Sequence, residues 1–300
     1  MFGISSEDIT KFTSRIAESK IIKNKGNNLP KFSVIIPTLN QGEFIEKTIL
    51  SIINQGYPNT EIIIIDGGSE DNTINIIRKY ESYIYYWESK PDKGQADAIN
   101  KGFKISTGEF LCWQNSDDIF LPNAFFSFAN SITENPDYDV YYSNIIVIDE
   151  GNRIKDAFKV FKFGLFFNLY DDIVVHNQAA FFRKEKIFEV GLLDETMKFC
   201  FDLDLVSKLM ISGAKFFPIN KYLGAFRLHE QSKTSKILNI WKEERMKVIE
   251  RYSKHTLNIP ESLAYAICKI LKTLFLIKDG SFDYIYIKLR KRYKRILGLN

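Results

Sequence analysis

Short apolar runs alternate along the first half of the chain with stretches in which apolar residues recur every three or four positions. The runs predict strands over 32–36, 61–65, 84–87 and 110–113. The periodic stretches between and after them predict helices over 43–54, 71–80, 95–104 and 122–134. The second run is Glu61 followed by four isoleucines. A strand without polar alternation is one covered on both faces, as in a parallel sheet flanked by helices. Strands and helices alternating at this spacing predict an α/β fold with a doubly wound, mostly parallel sheet.

The rest of the chain is less regular. Strands are expected near 140–147 and 178–182, a helix over 203–212, and helical segments over 234–255, 260–278 and 281–296. Ahead of the first strand, Ile9, Phe12 and Ile16 share one helical face, with Ser6 as N-cap of a helix over 7–20. Residues 23–30 read as a linker. The expected organisation is residues 1–30 as leading helix and linker, 31–235 as the main domain, and 236–300 as a helical C-terminal extension.

Composition narrows the class. Of 300 residues, 45% are hydrophobic and 26% charged, enough for a packed core. Three cysteines, Cys112, Cys200 and Cys268, lie far apart and form no C-x-x-C pair, so neither zinc nor a disulfide framework is expected. No basic start followed by an apolar core marks a signal peptide, and no uncharged apolar run is long enough to span a bilayer. The expected location is cytoplasmic.

In an open parallel sheet, ligands bind at the carboxyl ends of the strands. Four strand ends here are polar: Pro37-Thr38-Leu39-Asn40, Asp66-Gly67-Gly68-Ser69, the run from Glu88 to Gly94, and Asn115-Ser116-Asp117-Asp118. Adjacent carboxylates repel unless water or a cation neutralises them, so Asp117 and Asp118 suggest a hard divalent metal. The competing reading makes Asp118 the cap of the helix that Pro122 opens. At Asp66 the two glycines permit a sharp turn and close approach of a ligand, and the carboxylate can accept from a base N–H. Neither G-x-G-x-x-G nor G-x-x-x-x-G-K-[ST] occurs.

In this order, PTLN, DGGSEDNT, KPDKGQADAINKG, WQNSDD, FDLDL and FRLH resemble the motifs of a family 2 glycosyltransferase with the GT-A fold. The resemblance covers about residues 32–235. It implies a Rossmann-like nucleotide-binding half joined to an acceptor half, and inverting transfer of a sugar from a nucleotide-sugar, usually a UDP-sugar. It further implies that Pro37, Thr38 and Asn40 line the nucleotide pocket and that Asp66, with Gly67, meets the base. Lys93, Gly94, Asp97, Asn100, Asn115 and Ser116 then face the donor. Asp117, Asp118 and His229 form the shell of Mn²⁺ or Mg²⁺, and Asp202 is the catalytic base. His176 and Gln178 border the acceptor, a glycan or lipid-linked glycan of the cell surface. Two positions depart from the family pattern: Ile99 replaces an arginine, and Asn115 replaces the first aspartate of D-x-D. Asp204, two residues past Asp202, is expected to cap the helix rather than share the chemistry.

Residues 261–300 carry nine lysines and arginines against three acids, an excess of six where the whole chain has +4. Apolar and aromatic residues are interleaved with them. An anionic membrane surface, on the inner face of the cytoplasmic membrane, and packing on the domain or in an oligomer are both compatible with this pattern. Nucleic acid is not expected, since no fold pattern for it accompanies the charge. A nucleotide-sugar binding protein without catalysis and a nucleotidyltransferase stand as rival functions.

Overall fold

The computed structural model describes residues 3–16, 29–171, 175–230, 238–257, 259–282, 284–286 and 288–289. Residues 23–28 of the expected linker and most of the last basic segment therefore lie outside the described residues. In chain order the first half contains α1 (Ser6–Phe12), β1 (Phe32–Thr38), α2 (Ile45–Ile53), β2 (Thr60–Asp66), α3 (Thr73–Lys79), β3 (Tyr86–Ser89), α4 (Gln95–Ile105), β4 (Phe110–Trp113), β5 (Ile119–Phe120) and α5 (Ala124–Glu134). The second half contains β6 (Val140–Ile148), β7 (Ile154–Phe158), α6 (Leu165–Tyr170), β8 (Ala180–Arg183), α7 (Lys184–Glu189), α8 (Phe201–Ile211), β9 (Phe216–Arg227), α9 (Leu238–Tyr252) and α10 (Glu261–Lys278).

One nine-stranded sheet runs β3-β2-β1-β4-β8-β6-β9-β5, with β7 on β6. The first four strands pair in parallel, as the sequence predicts. Beyond β4 the pairing changes: β8 is antiparallel to both β4 and β6, while β9 is parallel to β6. Alternate residues of the parallel strands face opposite layers. Val34, Ile36, Ile62, Ile64, Phe110 and Cys112 pack with α2, α3 and α5. Ile35, Ile63, Ile65, Leu111 and Trp113 pack with α4, α8, α9 and α10 in one continuous cluster. The C-terminal helices thus contribute Val248, Ile249, Tyr252, Ala264 and Cys268 to the same core as the sheet.

Several elements differ from expectation for identifiable reasons. Helix α1 is capped by Ser5, not Ser6: Ser5 Oγ accepts from Asp8 N at 3.1 Å and Asp8 answers to Ser5 N at 3.0 Å, a capping box. Its Ile9 is buried among Ile119, Ile146, Ala225 and neighbours, so the leading helix packs on the far end of the sheet. Helix α5 starts after Asn123, whose φ is +62°, and Asp118 does not cap it. Strand β9 went unpredicted because Pro218, Asn220 and Gly224 break its alternation; its pairing with β6 slips on either side of Asn144.

Gly102, on α4, lies so close to β1 that an added Cβ would sit 2.6 Å from Ile35 Cγ2. Ile35 is branched, buried and held in a central strand, so it cannot yield easily. Alanine in a helix is normally favoured over glycine by about 1 kcal/mol, whereas overpacking costs roughly 1–3 kcal/mol. Gly102→Ala should therefore lower stability by up to about 2 kcal/mol, read as a lower urea midpoint with an unchanged slope. A raised midpoint would show that α4 can move off the sheet at little cost.

Candidate active site

The carboxyl ends of β1, β2 and β4 open on one edge of the sheet, and their turns are stitched together. Gly67 N donates to Thr38 O at 2.9 Å. Asn40, at φ +51°, accepts from Glu70 N at 2.9 Å while its own N–H donates to Ser69 Oγ at 2.7 Å. Thr38 Oγ1 and both amide atoms of Gln114 are buried with no hydrogen-bond partner among the described residues. Buried polar atoms of this kind are costly unless a ligand or water meets them.

Asp66 is fully buried and organises the second turn. Its carboxylate accepts from Gly68 N at 3.0 Å, Ser69 N at 2.8 Å, Ser89 Oγ at 2.6 Å and the hydroxyl of Ser69. Asp92 stands beside it, with Oδ2 3.0 Å from where a Cβ on Gly67 would lie. Burial, with Asp66 adding to it, raises the Asp92 carboxyl above the usual range. Gly94, at φ +125°, opens α4 and donates to Asp92 Oδ1 at 2.8 Å. Gln95 then reaches Asn115 Oδ1 at 2.7 Å, joining the third strand end to the fourth. Lys93 is exposed, and Asp97 accepts from its N–H at 3.0 Å while pairing with Lys101 at 3.0 Å.

The fourth strand end separates its two aspartates. Asp118 is fully buried. One oxygen accepts from Arg227 N at 2.8 Å, the other from Gln178 Nε2 at 2.8 Å and Asn115 Nδ2 at 3.0 Å. Burial, reinforced by Asp117, pushes this carboxyl well above the usual range, and those donors oppose the shift. Asp117 is partly open, and its Oδ2 lies 2.9 Å from His229 Nε2. His229 forms part of the wall of an open cleft of about 670 Å³ between residues 149–153 and 228–230. A volume of that order suits a small-molecule ligand.

Three expectations are corrected by these contacts. Asp118 does not face a metal position, because both of its oxygens are engaged inside the protein. Gln178 is buried and spends its amide on Asp118 rather than on an acceptor. Asn100 does not face a donor: it donates to Leu193 O at 3.0 Å and accepts from Leu193 N at 3.1 Å, pinning the segment that leads to α8. His176 is half-buried against Phe158, and desolvation with Lys272 nearby lowers its pKa to about 3, so it is neutral at physiological pH.

Asp202 is the second residue of α8 and half-buried. Its Oδ1 accepts from Leu203 N at 2.7 Å. Burial raises its pKa to about 6; backbone N–H groups oppose the rise and the Glu244 charge adds to it. Glu244, from α9, accepts the N–H groups of Lys198 and Phe199 at 2.8 Å and of Cys200 at 3.0 Å. Around the same point, Arg245 donates to Leu169 O at 2.9 Å, and the buried Cys200 thiol is pushed up to about 12. Asp204 is structural, as expected, but not as a cap: it is fully buried and gripped by Arg251 at 2.6 Å, Tyr252 Oη at 2.7 Å and Lys208 at 2.8 Å. Glu244, Gln95 and Arg227 were not foreseen as site residues. Arg227 stood inside the FRLH motif; nothing in the local sequence marks Glu244.

A parallel sheet half opening on polar strand ends, joined to a mixed half carrying an isolated carboxylate on a helix, defines a GT-A-type transferase fold. The profile of Glycosyl transferase family 2 matches residues 33–192, and the chain belongs to that family. An uncharacterized glycosyltransferase of Rickettsia typhi is 28% identical over 222 residues, covering 70% of this chain and 68% of that protein. The poly(ribitol-phosphate) beta-N-acetylglucosaminyltransferase TarP of Staphylococcus aureus is 38% identical over 112 residues, 36% of this chain and 34% of TarP. Among solved structures, S. aureus TarS 1-349 in complex with UDP-GlcNAc superposes with a TM-score of 0.63 at 20% identity, covering 78% of this chain and 69% of that one.

The raised pKa of Asp202 carries a stability consequence. Between about 4 and 6 the folded protein holds a proton that the unfolded chain releases, so this group's contribution to stability falls as pH rises through that window. Asp202→Asn removes the charge and should stabilise the protein at pH 7, by up to about 3 kcal/mol. Thermal unfolding of both proteins at pH 4 and pH 7 checks this: the difference should be present at pH 7 and vanish at pH 4.

Proposed function

We propose that the chain transfers a sugar from a nucleoside-diphosphate sugar to a hydroxyl of a glycan or lipid-linked glycan, with inversion, and that Asp202 is the base. The observation that carries this is a half-buried carboxylate with pKa near 6 at the start of α8, on a segment whose preceding N–H groups are held by Glu244. A base of that strength is ionised at neutral pH and still takes a proton. The acceptor O–H proton passes to Asp202 as the oxygen attacks the anomeric carbon. The bond from that carbon to the diphosphate breaks, and the nucleoside diphosphate leaves from the opposite face.

The donor is assigned to the strand-end turns. Thr38, Asn40 and the Asp66-Gly67-Gly68 turn line the base and ribose region, where Ser89 Oγ can exchange its bond to Asp66 for one to the ligand. A uridine nucleotide is favoured because TarS is seen with UDP-GlcNAc. The acceptor class follows relatives whose names specify poly(ribitol-phosphate) and GalNAc(5)-diNAcBac-PP-undecaprenol. Asp117 and His229 fit a divalent cation: a carboxylate oxygen and an imidazole nitrogen lie 2.9 Å apart. No cluster of three or more His, Cys, Asp or Glu suited to a metal occurs among the described residues. With these two protein groups, the shell of Mn²⁺ or Mg²⁺ would have to be completed by substrate phosphate and water. Such an ion would neutralise the charge that develops on the leaving diphosphate. Arg227, buried beneath this pair, bonds Asp117 O at 2.8 Å and fixes the turn that presents it.

Asp202→Asn should cut kcat at least about a hundredfold with donor binding nearly unchanged. In the wild type, kcat/KM should fall about tenfold per pH unit below the Asp202 pKa of about 6. Glu244→Gln removes a negative charge from beside Asp202, so the acid limb should move to lower pH; a purely structural Glu244 would lower the rate without moving it. If Asp202→Asn retains full turnover with a range of UDP-sugars and acceptors, the base lies elsewhere.

Asp117→Ala, or excess EDTA, should abolish transfer while the circular dichroism spectrum stays that of the wild type. Undiminished transfer in EDTA would exclude the ion from the mechanism.

A further inference from the structure

Helix α10 has two apolar faces, and only one is used by the fold. Ala264, Cys268 and Leu276 are buried, and Phe275 packs on Phe161 with ring centroids 5.2 Å apart. The outer side presents Leu263, Ile270, Leu274 and Ile277, spaced by seven, four and three residues and so aligned along one stripe. These four side chains are between 45% and 60% exposed, and Leu271 beside them is 43% exposed. Phe282, Tyr286 and Leu289 continue the apolar surface past the end of the helix, each about 60% exposed or more. An exposed apolar surface of this extent marks an interaction site.

The charges around the stripe decide what it meets. Lys269 and Lys278 are exposed on either side of it. Lys288 lies further along, bonded to Asp156 at 2.9 Å. The sequence then adds Arg290, Lys291, Arg292, Lys294 and Arg295 with no acid. A second copy docking by the same face would bring two such basic surfaces together, since a two-fold contact pairs each patch with itself. An anionic lipid surface is complementary to both features: its acyl boundary takes the apolar stripe and its headgroups take the lysines. No described helix is long and apolar enough to cross a membrane, which leaves binding in the plane of the surface as the mode for α10.

We propose that the outer face of α10, with Phe282, Tyr286 and Leu289, docks the protein on the surface of an anionic bilayer. The inference uses neither the transfer reaction nor the identity of its substrates and stands or falls apart from them. The full chain should float in a density gradient with vesicles of phosphatidylcholine and phosphatidylglycerol, and much less with phosphatidylcholine alone. Ile270→Glu with Leu274→Glu places two acids on the stripe without touching the buried face and should abolish flotation. Lys269→Gln and Lys278→Gln should each weaken partitioning about fivefold at low salt. Melting temperatures close to the wild type's would show that these exposed substitutions leave the fold intact. The proposal is overturned if the wild-type chain stays at the bottom of the gradient with anionic vesicles. It is equally overturned if the double glutamate variant floats as well as the wild type, or if the stripe mediates a dimer by sedimentation that does not bind vesicles.

Discussion

The arrangement depends on a buried polar hub at the end of β4, built on Arg227 and Asp118. Arg227 is inaccessible to solvent, and its guanidinium bonds the carbonyl oxygens of Asp117, Asp149 and Glu150 and the side chain of Asn152. Its backbone N–H meets Asp118, which also holds Asn115 and Gln178. Through these two residues the β4 end is bound to β9, to the β6–β7 turn and to the segment entering β8. Truncating Arg227 would strip its guanidinium from the carbonyl oxygens of Asp117, Asp149 and Glu150, and truncating Asp118 would leave Gln178, Asn115 and the Arg227 N–H without their acceptor. Burial lowers the pKa of Arg227, and the nearby Asp118 and Asp117 oppose that shift.

Asp117 and Asp118 show how one dipeptide serves two ends. In the turn between β4 and β5 the two side chains take different directions: Asp118 is fully buried, whereas Asp117 remains partly exposed. Their environments then diverge: donors surround Asp118, whereas Asp117 meets His229 at the opening. Two neighbouring carboxylates separated in this way take separate roles. Asn115, at the position of a family aspartate, fits this division. Its amide bridges Gln95 and Asp118, donating to the carboxylate and accepting from the glutamine, which an aspartate could not do.

The donor half was legible in the sequence because its signals are local. Four isoleucines in a row and polar turns after each apolar run are read without knowing the fold. Strand β4 and helix α4 fall within a residue of expectation. What stayed hidden depends on partners far away in the chain. Asn100 meets Leu193 across 93 residues, Gln178 meets Asp118 across 60, and Arg227 meets Asp118 across 109. Amides and carboxylates in a motif look equally suited to a ligand; only the fold shows which are already satisfied. The irregular strands β7 and β9 escaped for a related reason, since their alternation is broken and cross-strand pairing sets their path.

The family match ends at residue 192, before the wall that bears Asp202. That wall is built by contacts from α9, outside the matched residues. Glu244 gathers the three N–H groups that precede α8, and Arg251 and Tyr252 hold Asp204 one helical step past Asp202. The backbone on either side of Asp202 is thus fixed, its carboxylate accepts from Leu203 N at 2.7 Å, and burial raises its pKa. The burial that raises this pKa also costs stability at neutral pH, where the carboxylate is held ionised and desolvated. The inner faces of α9 and α10 complete the core, and Glu244 of α9 adds its charge to the surroundings of Asp202, so a change in α9 reaches that carboxylate from outside the matched residues.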